Sequence, residues 1–239
     1  MDRKKFVIVT AGGSGIRMHS KVPKQFLEIG GKPILRHTVE RFLEYDPAIG
    51  VVISLPASSK QFWKDYCAST GFISRYTMVS GGITRFHSVR NALEYIPDGA
   101  LVAVHDGVRP FVTPDFLARM FEAAETCEGV IPVLPVVDSL RELDRSGVSV
   151  PVDRSSYVSV QTPQIFRSEM LKSAYCNAYS TSFTDDASVF EAAGFKVSLA
   201  EGLRGNFKIT SPEDLAIAEV VVRRRADSVQ DRISADSCR

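Results

Sequence analysis

The sequence is poor in cysteine. Its 239 residues hold four, Cys67, Cys127, Cys176 and Cys238, far apart and with no CxxC pair. That is too few for a disulfide scaffold and the wrong spacing for a zinc site, and it suits reduced thiols in a cytosol. Histidine is as sparse: His19, His37, His87 and His105 are scattered, and none falls in an HExxH pattern. No stretch reaches the roughly 18 apolar residues of a membrane span. The opening basic residues and Phe6-Val7-Ile8-Val9 imitate a signal peptide. The apolar run is too short, however, and glycines follow at once, so a buried first strand is the better reading. The net charge of +1 removes a whole-protein electrostatic footprint for nucleic acid. The 44% hydrophobic content is too high for a disordered chain. A chain of this length buries roughly 70–75% of its unfolded surface, which fits one large domain with at most a small appendage.

Short β-branched runs at 6–10, 50–55, 76–80, 101–105 and 130–137 predict strands. Between them, Ile34-Leu35…Val39…Phe42-Leu43 and Phe86…Val89…Leu93…Ile96 repeat at helical spacing. Phe62, Trp63 and Tyr66 form the core face of another helix. Thr113-Pro114 is a cap residue followed by proline at a first helical position. Such alternation predicts an α/β fold, a Rossmann-like mainly parallel sheet with helices on both faces. The rhythm breaks at 138–160, a polar, turn-rich stretch that reads as a β-hairpin insertion. Two readings stay open for it, a surface excursion or an arm reaching a partner subunit. The α/β pattern then resumes, with helices at 168–179 and 184–193, the second ended by Gly194. Strands are predicted at 195–200 and 206–210, and Ser211-Pro212-Glu213-Asp214 opens a last helix. The polar stretch from 223 reads as helix end and loose tail, so the expected organisation is one domain over 1–228 and a tail over 229–239.

Chemistry concentrates where Ala11-Gly12-Gly13-Ser14-Gly15-Ile16-Arg17-Met18 follows the first strand. In open α/β sheets ligands bind beyond the carboxyl ends of strands, and glycines there let backbone N–H groups approach phosphate oxygens. The dinucleotide fingerprint fails, because its third glycine falls on Met18, and no GxxxxGK[ST] occurs. From Arg3 to Leu27 there is no acidic residue, but there are Arg3, Lys4, Lys5, Arg17, Lys21 and Lys24. The first three read as solvated surface. Arg17 and Lys24 flank the glycine loop, and Pro23 keeps the chain extended or turning before Lys24, which lets the loop wrap a polyphosphate.

Gly12-Gly13-Ser14-Gly15-Ile16-Arg17-Met18 with Pro23-Lys24-Gln25 resembles the signature of sugar-phosphate nucleotidylyltransferases. More narrowly, it resembles the 2-C-methyl-D-erythritol 4-phosphate cytidylyltransferases. Later motifs agree in order: Gly81-Gly82…Arg85…Ser88-Val89, His105-Asp106-Gly107-Val108-Arg109-Pro110, Val152-Asp153-Arg154, Gln161-Thr162-Pro163-Gln164, Thr184-Asp185-Asp186-Ala187-Ser188 and Asn206-Phe207-Lys208-Ile209-Thr210. The match spans nearly the whole chain except the tail.

The resemblance implies the nucleotide-diphospho-sugar transferase type of fold. It implies attack of a polyol phosphate on the α-phosphorus of CTP, departure of pyrophosphate, and a Mg²⁺ ion across the triphosphate. It implies catalytic roles for Arg17, Lys24, Lys208 and Arg154. Nucleotide contacts fall on Ala11, Gly12, Gly13 and Gly15, and on Gly82 and Ser88 at the cytosine. Substrate contacts fall on Asp106, Arg109, Ser139 and Arg154, with Asp106 also within reach of the metal. Ile83 stands where the family often has an acid, which bears on base selectivity. The family's homodimers interlock through the 138–160 arm, so Arg154 could act across the interface. No membrane or nucleic-acid partner is implied, and the location is cytoplasmic. A ribitol 5-phosphate cytidylyltransferase shares the fold and the CTP loop and is the rival reading. A non-catalytic CTP-binding module would keep the glycines but would not need Arg17, Lys24 and Lys208 together. A nicotinamide-dependent dehydrogenase lacks its third glycine.

Overall fold

The computed structural model describes residues 3–13, 18, 20, 22–72 and 74–236, with side chains described as far as 225. The sheet begins with β1 (Lys5–Thr10), flanked by β4 (Gly50–Leu55) and β6 (Leu101–Asp106), both parallel to it. Next to β4 lies β5 (Tyr76–Ser80), again parallel. On the other side β11 (Gln164–Arg167) runs antiparallel between β6 and β7 (Gly129–Pro135). β10 (Val158–Val160) also pairs β7 antiparallel, and β12 (Val197–Glu201) pairs it in parallel. Together they make one eight-stranded sheet. A short β2–β3 ribbon (Glu28–Ile29, Lys32–Pro33) stands apart.

Side-chain alternation divides the core. Val7 and Val9 face the layer of α1 (Ile34–Tyr45), α2 (Lys60–Thr70) and α4 (Pro114–Thr126), where Leu35, Phe42, Trp63 and Phe116 are fully enclosed. Ile8 faces the opposite layer of α3 (Arg85–Leu93), α5 (Ser168–Tyr175) and α6 (Asp186–Ala192), with Val89, Leu171 and Phe190. Each such side chain contributes about 1.5–3 kcal/mol on burial. A third cluster, with Ile34, Phe111 and Ile209, seats the start of α7 (Pro212–Asp236). Helix starts follow local chemistry: Thr84, Thr113 and Asp185 each accept from a first-turn N–H.

Over 138–160, β8 (Leu140–Leu143) and β9 (Ser149–Val152) form a separate two-stranded hairpin. Asp144 closes its turn by accepting from Ser146 and Val148.

Several expectations need correction. Residues 206–210 form no strand. Their bonds go instead to single partners, Ile209 N–H to the Val108 carbonyl and the Asn206 amide to the Thr162 carbonyl. The helix expected to reach 179 ends at Tyr175. The expected tail from 229 is helical through Asp236, because the stretch after Pro212 holds no glycine or proline to stop it. Phe62 is half exposed, although its ring meets Phe26 at 4.7 Å. Among the described residues no helix is long and apolar enough to cross a membrane.

Candidate active site

The carboxyl ends of β1, β4, β5 and β6 open onto one side of the sheet. The chain leaves β1 at Ala11, whose N–H donates to the Ser54 carbonyl at 2.9 Å. Gly12 and Gly13 follow. A Cβ at Gly13 would lie 3.3 Å from Lys24 Cε, so the lysine stem runs across the bare glycine. Lys24 is held there by a 3-10 turn over Lys24–Phe26, which buries Phe26 and leaves the lysine half exposed. From β5 the chain turns through Gly81 and Gly82 into α3. A Cβ at Gly82 would run into His87, so glycine is required. The Ser88 hydroxyl accepts from Gly82 N–H at 3.0 Å and donates to the Thr84 carbonyl at 3.0 Å. Gly12, Gly13, Lys24, Gly82 and Ser88 thus wall one cavity of about 210 Å³, and Ile83, 96% exposed, stands at its mouth.

A second cavity, of about 290 Å³, is lined by Arg109, Thr162, Gln164 and Thr184. Among the described residues three side chains line both: Arg85, Asp106 and Lys208. Asp106 ends β6 with its N–H on Thr162 Oγ1 at 3.1 Å. Its Oδ2 receives Lys208 Nζ at 3.0 Å and Arg109 Nε at 3.2 Å, and its Oδ1 lies 3.7 Å from Arg85 Nε. Burial alone would raise this carboxyl, but Arg85, Lys208 and Arg109 outweigh it and hold Asp106 well below the usual carboxylate range. Behind it, buried His105 is pulled down to about 4, first by burial. Its Nε2 faces the Arg109 carbonyl at 3.0 Å and its Nδ1 the Thr162 hydroxyl at 3.1 Å. Those partners fit a neutral ring protonated on Nε2.

The structure therefore brings together Ala11, Gly12, Gly13, Lys24, Gly82, Ser88, Asp106 and Lys208 in one cavity, with Arg109 in its neighbour. Gly15 and Arg17 lie outside the described residues. Lys208 stands on a segment without regular secondary structure, not on the expected strand. Ser139 and Arg154 line neither cavity within one chain. Arg154 donates to the Val137 carbonyl and is exposed. The sequence reading assigned no role to Arg85, nor to Gln25, which is 1% exposed with no hydrogen-bond partner for its amide among the described residues. Only the motifs around them pointed that way.

A cleft of about 840 Å³, at the opposite ends of β1, β4 and β5, is larger than either of these. Phe6, Phe72, Tyr76 and Tyr95 line it, and it has neither a glycine loop nor converging charges. Volume there is not chemistry. Among the described residues no three His, Cys, Asp or Glu side chains could together hold a metal. Among the described residues Asp106 is the one carboxylate on both cavities, and its Oδ1 is the less occupied oxygen. It fits a metal that arrives already bound to a phosphate, not a resident cage.

The family described as 2-C-methyl-D-erythritol 4-phosphate cytidylyltransferase matches residues 5–224. A protein of that name from Phocaeicola vulgatus is 49% identical over 218 residues, 91% of this chain and 99% of the relative. One from Bacillus velezensis is 36% identical, over 91% of this chain and 95% of the relative. The crystal structure of the Thermus thermophilus protein of that name superposes with a TM-score of 0.73 at 33% identity, over 93% of this chain and 100% of the other.

Proposed function

The chain belongs to the 2-C-methyl-D-erythritol 4-phosphate cytidylyltransferase family, and from that membership we infer that it transfers CMP from CTP to 2-C-methyl-D-erythritol 4-phosphate in the non-mevalonate isoprenoid pathway. The products are 4-diphosphocytidyl-2-C-methyl-D-erythritol and pyrophosphate. An acceptor phosphate oxygen forms the new bond to the α-phosphorus with its own lone pair. The bond from that phosphorus to the bridging oxygen breaks, and its electron pair leaves on pyrophosphate. No covalent enzyme intermediate is needed when both substrates are held in line.

One observation carries the division of labour: a glycine-walled cavity and a hydroxyl-lined cavity share Asp106 and Lys208. CTP takes the first, with Ala11, Gly12, Gly13 and Gly15 along the nucleotide and Gly82 and Ser88 at the cytosine. The acceptor takes the second, with its hydroxyls on Asp106 and its phosphate toward Arg109. Lys24, across Gly13, and Arg17 neutralise the charge that builds as two anions meet. Lys208 sits in the shared wall and steadies the phosphates on either side.

A Mg²⁺ ion on the triphosphate lowers the donor's charge, with Asp106 the carboxylate available to it. Dependence on CTP, a nucleotide of the cell interior, supports a cytoplasmic location.

The hairpin supports a homodimer in which Ser139 and Arg154 complete the partner's acceptor site. An isolated two-stranded ribbon is marginal in water. This one exposes Val137, Leu143, Val148 and Val150, and Val158 and Val160 beside it are exposed too. The domain proper is the remainder of 1–228.

Pyrophosphate release with CTP and Mg²⁺ tests the reading, with methylerythritol phosphate and ribitol 5-phosphate offered separately. Turnover with the first alone is expected. Release with neither overturns it.

A further inference from the structure

Arg85 is the first residue of α3, where the helix dipole disfavours a cation. Something else holds its charge there. Its fork is bidentate on Asp186, Nη1 to Oδ1 at 2.8 Å and Nη2 to Oδ2 at 2.6 Å. Asp186 opens α6 with no exposure at all and also accepts from the Tyr175 hydroxyl, at the end of α5, at 2.6 Å. Enclosing a carboxylate this completely is costly unless it is paired and hydrogen-bonded. Three helices thus converge to fix one guanidinium in one orientation.

The fork toward Asp186 uses one N–H from each terminal nitrogen. The Nε edge faces Asp106 at 3.7 Å, and the remaining N–H groups point away from Asp186. Among the described residues Arg85 and Lys208 are the cations that line both cavities; Lys24 lines only the first and Arg109 only the second. A phosphorus that leaves an oxygen in one cavity for an oxygen in the other passes the shared wall. Planar, preorganised N–H donors there meet its non-bridging oxygens without reorganisation.

We propose that Arg85 is a further catalytic residue, which holds the non-bridging oxygens of the α-phosphate during transfer, and that Asp186, with Tyr175, is its positioning residue. The proposal rests on the cytidylyl-transfer reading above. Within that step Arg85 donates hydrogen bonds only: the bonds made and broken at phosphorus are those already written, and no proton changes owner.

The experiment compares wild type with Arg85→Lys, Arg85→Ala and Asp186→Asn, each with CTP, Mg²⁺ and methylerythritol phosphate, and with folding checked by circular dichroism. Arg85→Lys keeps the charge but loses the planar fork. It is expected to lose about a hundredfold in kcat, with both KM values within a few-fold. Low-millimolar guanidinium is expected to restore kcat of Arg85→Ala saturably, whereas methylammonium does not. Asp186→Asn is expected to lower kcat at least tenfold, also at unchanged KM. If the pair merely ties α3 to α6, Arg85→Lys lowers the melting temperature but keeps kcat within threefold, and guanidinium rescues nothing; that result overturns the proposal. Should Arg85→Ala not fold, the kcat of Arg85→Lys decides alone. An inactive wild type would instead remove the cytidylyl-transfer reading, so the two failures are distinct.

Discussion

Lys208 holds its ammonium 3.0 Å from the Asp106 carboxylate, joining the end of β6 to the irregular segment that precedes α7. Arg109 shares the same oxygen, and Arg85 stands by the other. Asp106 is therefore the counter-ion of a cluster of three cations, and under the proposed function an incoming polyphosphate competes with it for them. Asp106→Asn leaves those cations facing one another and is expected to cost on the order of 3 kcal/mol of stability. Pyrophosphate should raise the melting temperature of the variant more than that of wild type, because it replaces the missing charge. Equal shifts would show that the cluster does not bind phosphate.

Lys24 has a stem that crosses Gly13 and a charge at the rim of the glycine-walled cavity. Lys24→Ala is expected to remove several kcal/mol of transition-state stabilisation, read as kcat/KM, while CTP binding by titration weakens less. Turnover near wild type would refute the role.

The same lysine shows how far the sequence carries. The glycine run, the strands at 50–55 and 76–80, the apolar spacing of α3 and the capped start of α4 are set by neighbours in the chain, so local pattern finds them. The Arg85–Asp186 pair joins residues of different helices that no spacing relates. Residues 206–210 have a strand's composition, yet they pair with no strand, and Asn206 spends its amide on the Thr162 carbonyl. Phe62 has the helical spacing of a core residue but looks outward past Phe26. Local propensity shows what a segment can be; the available partners decide what it becomes.

Gln25 buries an amide that has no hydrogen-bond partner among the described residues, at the wall of the glycine-walled cavity. Such a group costs about 1–3 kcal/mol. Gln25→Met, similar in volume and apolar, should raise stability to urea by about 1 kcal/mol in the absence of nucleotide. A variant less stable than wild type would mean that the amide is satisfied in solution.

Arg154 lines neither cavity of its own chain. Arg154→Ala should raise KM for the acceptor phosphate much more than for CTP; equal effects would sink the arm assignment. Acting across a two-fold interface, it also predicts complementation. Mixing unfolded Arg154→Ala and Lys24→Ala chains and refolding them together gives mixed dimers with one intact site each, so roughly a quarter of wild-type activity should return. No recovery would put Arg154 in its own subunit's site, or in none.

His105 supplies a pH dependence whose sign is fixed by its surroundings. The ring is fully buried against Phe42, with Thr162 and the Arg109 carbonyl on its nitrogens and with Asp106, Arg109 and Arg85 as the nearby charges. Burial lowers its pKa to about 4, below the unfolded value of 6.5. Between those values the unfolded chain binds a proton that the folded chain refuses, so stability falls as pH falls from 6.5 toward 4. Near the middle of that window the loss approaches 1.36 kcal/mol per pH unit, which amounts to roughly 1–2 kcal/mol between pH 6.5 and 5. Asp106 acts elsewhere: its carboxyl is depressed, so its contribution is complete above the ordinary aspartate pKa and is lost only at more acid pH. Urea unfolding at pH 6.5 and 5 should therefore show a slope that His105→Asn reduces, the remainder lying with His37, whose pKa burial also lowers, and the variant should be less stable at pH 6.5. A variant that keeps the wild-type slope would assign the proton to another group.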